Sequence, residues 1–320
     1  MVGCRYFHPV HLLTYLLIIS ATYASQGDRS PAHTQCLRHC HDNICKHDPP
    51  PSGILKNPKF NMLVWDCESE CEYSCMWKTV TLFQMHDYAI PQFHGKWPFA
   101  RVGGIQEPAS MFFSLLNAAA HLYSIVQFRK LVPSIAPMYW TWHGYFSVAL
   151  NAWFWSTIFH TRDFLFTQHM DYISAAGLVT YQLYAYFARV LIYRHTFYTR
   201  AIAFVTAFLF FLHSYYMLFV HFDFGLHVRV SVFIGILNAL AWFSWSAYVW
   251  TKQPYVWKAC LTLMLLFLCV ALELLDFAPI AWVFDAHSLW HAGTAPLTLL
   301  WYSFIVDDCN YMLKSGRQAS

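Results

Sequence analysis

Two histidines near the end of the sequence have the spacing of metal ligands. His287 and His291 are four positions apart, so on a helix both imidazoles share one face, one turn apart, and can hold a single metal ion. With 18 histidines in 320 residues, roughly one such pair is expected by chance. A pair of interfacial histidines explains the same pattern, and the metal interpretation therefore needs support from other segments.

Ser156, His160 and Asp171 supply that support. Ser156 and His160 are again four positions apart and share a helix face. Asp171 follows after ten intervening residues, a connection short enough to keep two helix ends together. Together with His287 and His291, these residues place three imidazoles, a hydroxyl and a carboxylate at the same end of three predicted helices.

This set predicts a metal-dependent hydrolytic site. Three histidines with water in the fourth position form a catalytic zinc arrangement, so His160, His287 and His291 are the predicted ligands and Zn²⁺ the expected ion. Asp171 is expected to deprotonate or orient the metal-bound water, which acts as nucleophile and whose pKa the metal lowers toward about 7. Ser156 is expected to hydrogen-bond that water or the oxyanion.

Two other interpretations of the polar residues remain open. Ser156 as a nucleophile with a His/Asp relay is the competing chemistry, although its close partner His160 is better used as a ligand. The segment HFDFGLH at 221–227 is a rival metal-site candidate, although solvated loop residues explain it better. Further candidates, as partners for the second N–H of metal-bound imidazoles, are Asp163, His169, Asp276 and Asp285.

The elements that must position these residues are apolar segments of membrane-spanning length. Such a helix needs about 20 apolar residues, and segments near that length recur at 109–128, 138–159, 172–193, 201–220, 230–250, 256–275 and 288–306. The chain is 58% hydrophobic and 12% charged, which is more apolar surface than a soluble domain of this length can bury. We therefore predict an all-α integral membrane protein with seven transmembrane helices.

The N-terminal part of the chain differs in composition from the rest. Residues 1–24 have the pattern of a cleaved signal peptide, and 25–105 form a polar, cysteine-rich segment. Six cysteines in this exported segment favour disulfides, with 15 possible pairings, over a zinc site. We expect the transmembrane domain at 106–308 and a cytosolic tail at 309–320. The six cysteines are Cys36, Cys40, Cys45, Cys67, Cys71 and Cys75.

Charge distribution predicts the orientation. With the cysteine-rich segment in the lumen, basic residues such as Arg129, Lys130 and Lys252 fall in predicted cytosolic loops, as the positive-inside rule requires. The predicted luminal loops carry mostly His and Asp. The net charge of +3 is small, and the basic residues are scattered along the chain. A nucleic-acid partner is therefore not indicated.

Several longer motifs resemble a known family. PQFHGKWPF at 91–99, QEPAS at 106–110, NAWFWSTIFHTRD at 151–163, MDY at 170–172 and ELLDFAPIAWVFDAHSLWH at 273–291 are similar to those of the GPI-specific phospholipase A2-like family. That family lies within the CREST superfamily of seven-helix membrane hydrolases. The resemblance covers nearly the whole chain after the signal peptide, including all five candidate site residues.

The resemblance implies an activity that composition and spacing do not. It implies removal of the unsaturated sn-2 acyl chain from the lipid of GPI-anchored proteins, in the Golgi membrane or, as an alternative, the endoplasmic reticulum membrane, with the site facing the lumen. GPI-anchored proteins and membrane lipids would be the partners. The alternatives are a non-catalytic receptor or GPI-lipid-binding escort, and a ceramidase-like amidase.

Overall fold

The computed structural model describes residues 25–47, 61–194 and 196–319. The predicted signal peptide lies outside them. The described residues form nine α-helices and no β-strand, apart from isolated β-bridges. Two helices form the N-terminal head and seven form a bundle, so the all-α class and the seven-helix core are both confirmed.

The head consists of two antiparallel helices, α1 (Pro31–Asn43) and α2 (Cys67–Met85), and three disulfides link α1 and the short turn after it, Cys45–His47, to α2. Cysteines later in the first part of the head pair with cysteines earlier in α2, as expected for antiparallel helices. Asp66 caps α2, its side chain accepting a hydrogen bond from the Ser69 N–H at 2.8 Å. The structure thus selects one pairing from the 15: Cys36–Cys75, Cys40–Cys71 and Cys45–Cys67.

The bundle contains the seven predicted helices in order. The helices are α3 (Pro108–Leu131), α4 (Tyr139–Thr161), α5 (Leu165–Val190), α6 (Thr196–Tyr215, extended by a π-helical turn Tyr216–Val220), α7 (Phe224–Val249), α8 (Trp257–Glu273) and α9 (Ala286–Ala319). Successive helices alternate in direction. The end of the bundle that faces the head, here called the head side, therefore contains the first residues of α3, α5, α7 and α9 and the last residues of α4, α6 and α8.

Four of these helices are long and apolar enough to cross a membrane by length and composition: α3, α6, α7 and α8. In α4, Trp, Tyr and His take many positions that are aliphatic elsewhere. The apolar stretches of α6, α7 and α8 are mostly exposed in the bundle, as expected for helices that face lipid. By contrast, α3, α4 and α9 pack at the centre, where Phe128, Trp142 and Phe304 are fully buried.

The two largest differences from the predicted helix boundaries are at the start of α5 and at the end of α9. Helix α5 begins at Leu165 and not at 172, because the Phe164 N–H donates to the Thr167 hydroxyl at 2.9 Å and starts the helix early. The connection from α4 is therefore only residues 162–164. Helix α9 continues past its predicted end at 306, because Cys309 and Met312 are buried against the bundle.

Candidate metal centre

Three imidazoles meet at the head side of the bundle. His160 lies in the last turn of α4, and His287 and His291 lie in the first two turns of α9. The Nε2 atoms of His291 and His287 are 2.9 Å apart, and those of His287 and His160 are 3.4 Å apart. The three predicted ligands therefore form one cluster, whose ligand atoms lie within 4.8 Å of one another.

The spacing of these nitrogen atoms fits a tetrahedral metal ion. Imidazole nitrogens bind Zn²⁺ at about 2.0–2.1 Å, which places two ligands of a tetrahedron about 3.3 Å apart. The observed Nε2 separations of 2.9 and 3.4 Å bracket that value. His160 and His291 are almost completely buried, and the donor set suits Zn²⁺ and other divalent transition metals.

Each imidazole uses its second nitrogen for a hydrogen bond. His160 Nδ1 lies 2.7 Å from Glu107 Oε2, and His287 Nδ1 lies 2.9 Å from Glu273 Oε1. His291 Nδ1 lies 3.3 Å from the Ser114 hydroxyl. An Nδ1–H that donates to such an acceptor leaves the lone pair on Nε2, which is the arrangement metal-binding histidines normally adopt.

Glu107 is held as an anion beside His160. It is buried at the N-terminus of α3, where Lys96 Nζ donates to its Oε1 at 2.6 Å and also contacts Asp163 Oδ2 at 2.8 Å. Burial alone would raise the pKa of Glu107, but the charge of Lys96 and the hydrogen bonds from Lys96 and His160 outweigh it and hold that pKa well below its usual range. The carboxylate is thus charged whenever it partners His160.

The two predicted catalytic residues lie at the same end of the bundle. Ser156 is buried one turn before His160, and its hydroxyl is 3.0 Å from that of Ser114, which in turn contacts His291. Asp171 lies in the second turn of α5 and interacts electrostatically with His160 and His287. It is not part of the close group of three imidazoles, so its place is beside the cluster.

The predicted imidazole partners were wrong, because sequence position near a helix end does not fix the direction of a side chain. Asp163 pairs with Lys96, and Asp276 accepts a hydrogen bond from the Trp97 indole at 2.7 Å. Asp285 caps α9, and His169 packs on Phe222. The sequence held one sign of the observed imidazole partners. Glu273, which contacts His287, lies inside the predicted span 256–275, where an ionisable residue is a functional candidate.

The rival segment 221–227 does not form a metal cluster in the described structure. Asp223 caps α7 through the Leu226 N–H. His227 is not a solvated loop residue, because it lies within α7, is buried, and stacks on Tyr172 while contacting His213 at 3.3 Å. Aromatic packing explains this segment.

Comparison with known proteins identifies the family. The Per1-like family matches residues 58–309. The chain belongs to the Per1-like family. The GPI-specific phospholipase A2-like PGAP3 of Danio rerio is 40% identical over 305 residues, covering 94% of this chain and 96% of the relative.

Two further relatives support the same assignment. The human protein of the same name is 38% identical over 293 residues, covering 91% of this chain and 92% of the relative. Post-GPI attachment to proteins factor 3 of Drosophila melanogaster is 38% identical over 296 residues, covering 90% of each chain. No solved structure matches this Per1-like chain.

Proposed function

We propose that this protein is a metal-dependent acyl ester hydrolase that removes the unsaturated sn-2 chain from the lipid of GPI-anchored proteins. The observation that carries the proposal is the cluster of His160, His287 and His291, in which each Nδ1 contacts a second residue. The names of the relatives, GPI-specific phospholipase A2-like PGAP3 and post-GPI attachment to proteins factor 3, suggest the substrate class.

The residues around the cluster fit the steps of ester hydrolysis. When bound, a divalent ion supplies Lewis-acid activation of water and of the ester carbonyl. The Asp171 carboxylate accepts the proton of the attacking water, and the Ser156 hydroxyl donates a hydrogen bond to the oxygen that becomes negative. The products are a free fatty acid and a lipid with a free sn-2 hydroxyl.

The charges of the bundle support a site that faces the lumen, in the Golgi membrane that we propose for this protein. Basic residues gather at the end opposite the head, among them Arg129 and Lys130 at the end of α3 and Lys252 after α7. That pattern is typical of a cytosolic face. With that orientation, the head, its disulfides and the histidine cluster lie on the oxidising luminal side, where disulfides persist.

Cells provide the first test. In cells that lack the protein, His291→Ala or Asp171→Ala variants that reach the Golgi are expected to leave unsaturated sn-2 chains on GPI anchors, as measured by lipid mass spectrometry. A His143→Ala variant, changed at the opposite end of α4, is the matched control and should restore remodelling. Full remodelling by both site variants would refute the catalytic assignment.

Purified protein provides the second test and separates the alternatives. Full-length protein with Zn²⁺ is expected to release free fatty acid from GPI lipid, and His287→Ala protein is expected to lose both the zinc and the release. Metal-dependent binding of GPI lipid without fatty acid release would indicate an escort or receptor. Faster release from ceramide than from GPI lipid would indicate an amidase.

A further inference from the structure

A large cavity lies between the head and the head side of the bundle. It has a volume of about 1110 Å³ and is here called the head cavity. Its walls come from α2 of the head, the segment between head and bundle, and the short connection between α4 and α5. Since pockets for drug-sized ligands measure about 300–1,000 Å³, the head cavity has room for a ligand of several rings.

The lining of the head cavity combines charged side chains with aromatic and aliphatic ones. Its cations are Lys96, Arg101 and Arg162, and its carboxylates include Glu72 and Asp163. Arginine guanidinium groups bind phosphate with two parallel hydrogen bonds, and carboxylates accept hydrogen bonds from hydroxyl groups. The mixture suits a ligand that carries both phosphate and sugar hydroxyls.

Two of these cations are fixed in place before any ligand binds. The guanidinium carbons of Arg101 and Arg162 lie 3.3 and 4.4 Å from the centre of the same Trp65 ring. Arg101 also bonds Glu70 at 2.9 Å, and Arg162 donates to the Val64 carbonyl. Each guanidinium has five N–H donors, so both keep donors for an anion while stacking prevents them from moving away.

A chain of hydrogen bonds through the Glu107 carboxylate connects the wall of the head cavity to the histidine cluster. Lys96 lines the cavity and donates to Glu107 Oε1 at 2.6 Å, while Glu107 Oε2 bonds His160 Nδ1 at 2.7 Å. Arg162, on the cavity wall, is two residues from His160. In a glycerophospholipid the sn-2 ester and the headgroup phosphate are on adjacent glycerol carbons, so an sn-2 hydrolase needs a polar, phosphate-compatible pocket immediately beside its reacting atoms.

We propose that the head cavity binds the phosphorylated glycosyl-inositol headgroup of the lipid substrate, with Arg101 and Arg162 binding phosphate and the carboxylates binding sugar hydroxyls. This inference rests on the proposed function, because it names the part of the substrate that the head recognises. It assigns a role to the cysteine-rich head, which selects glycosylated lipid over ordinary phospholipid before the ester reaches the cluster.

Direct binding of the headgroup tests the inference. The probe is the water-soluble glycosyl-inositol phosphate, without acyl chains, titrated into the detergent-purified full-length protein by calorimetry. Arg101→Gln is expected to weaken binding about tenfold or more, since a charged hydrogen-bond donor is lost, and Arg101→Lys to weaken it less. Lys78→Gln, which removes an exposed charge from α2, is the matched control and should bind as wild type.

Two further arms identify the ligand and separate this inference from the proposed function. Inositol phosphate, the headgroup without its glycan, is expected to bind more weakly than the full headgroup. His291→Ala protein is expected to bind the full headgroup normally while releasing no fatty acid. Equal binding by wild-type, Arg101→Gln and Glu72→Gln proteins of unchanged melting temperature would overturn the head cavity proposal, even if GPI lipid were still hydrolysed.

Discussion

At the scale of single residues, each histidine of the cluster has a different partner for its second nitrogen. His160 and His287 contact the carboxylates of Glu107 and Glu273, whereas His291 contacts the neutral Ser114 hydroxyl. A carboxylate raises the basicity of the imidazole it bonds, and a hydroxyl does so less. The buried Glu107 is the better shielded of the two carboxylates, since it is 6% exposed and Glu273 is 40% exposed.

Replacing Glu107 tests its role as the residue that orients His160. Glu107→Gln keeps the shape but removes the charge, so metal affinity is expected to fall about 10- to 100-fold, as measured by zinc competition with a chelator. Glu68→Gln, on the exposed face of α2, is the control. Unchanged zinc affinity in Glu107→Gln protein would mean that this carboxylate serves only to neutralise Lys96.

Ser156 distinguishes two mechanisms by the size of its effect. As a hydrogen-bond donor to the oxyanion, its loss in Ser156→Ala is expected to lower kcat about 100- to 1,000-fold. As a nucleophile, its loss would cost about a million-fold and wild-type protein would form an acyl-serine. Kinetics on GPI lipid, with mass spectrometry of the peptide containing Ser156, measures both, and an acylated Ser156 would contradict the proposed role.

At the scale of secondary-structure elements, the N-terminus of α2 links the head to the bundle. Asp66 caps α2 through Ser69 and also lies 3.6 Å from Arg162 of the α4–α5 connection. Burial raises the pKa of Asp66, but the hydrogen bonds from Ser69 and the charge of Arg162 outweigh burial and lower it overall. One carboxylate thus starts a helix and holds an arginine of the head cavity.

The cap gives a stability prediction with a defined pH dependence. Asp66→Ala is expected to destabilise the protein by about 1 kcal/mol near neutral pH, measured by thermal unfolding in detergent. Because the folded pKa of Asp66 is lowered, its charge-dependent contribution is present above the unfolded value of about 3.9 and is lost as the pH falls below it.

The conservative variant at the same position provides the control. Asp66→Asn retains an acceptor for the Ser69 N–H but does not titrate. The difference in stability between the Asp66→Asn and Asp66→Ala proteins should therefore not change between pH 6 and pH 3. The difference between wild type and Asp66→Ala should shrink over that range. If the difference in stability between wild type and Asp66→Ala stayed constant down to pH 3, the charge of Asp66 would contribute nothing to stability.

At the scale of the whole molecule, a small disulfide-linked head is joined to a large apolar bundle. The head has two helices and therefore little core of its own, which makes its three disulfides a main source of stability. The proposed metal ligands, His160, His287 and His291, lie on α4 and α9 and not on the head helices. Head stability and metal binding are therefore expected to be separable.

Removing one disulfide tests that separation. Cys36→Ser/Cys75→Ser opens a link across 39 residues and is expected to cost about 2–5 kcal/mol of head stability, seen as faster limited proteolysis within the head. The zinc content should be unchanged. Cys260→Ser/Cys269→Ser, which changes two unpaired cysteines of α8, is the control, and loss of zinc in the head variant alone would show that the two parts fold as one unit.

The sequence by itself determined the features that depend on local pattern. Hydrophobic length placed the seven bundle helices, cysteine content predicted the disulfides, and spacing four apart selected His160, His287 and His291. These inferences succeed because helix periodicity and bilayer thickness fix which residues share a face and which segments are buried in lipid. Motif resemblance indicated the family.

Only the tertiary structure decided which residues from distant segments meet. Glu107, at the N-terminus of α3, and Glu273, in α8, belong to different helices from the histidines they contact, so no local pattern pairs them. The candidates taken from the sequence were Asp163, His169, Asp276 and Asp285 instead. The disulfide pairing and the head cavity were undetermined for the same reason. Packing angles and helix rotation are properties of the assembled bundle, and they set the direction in which each side chain points.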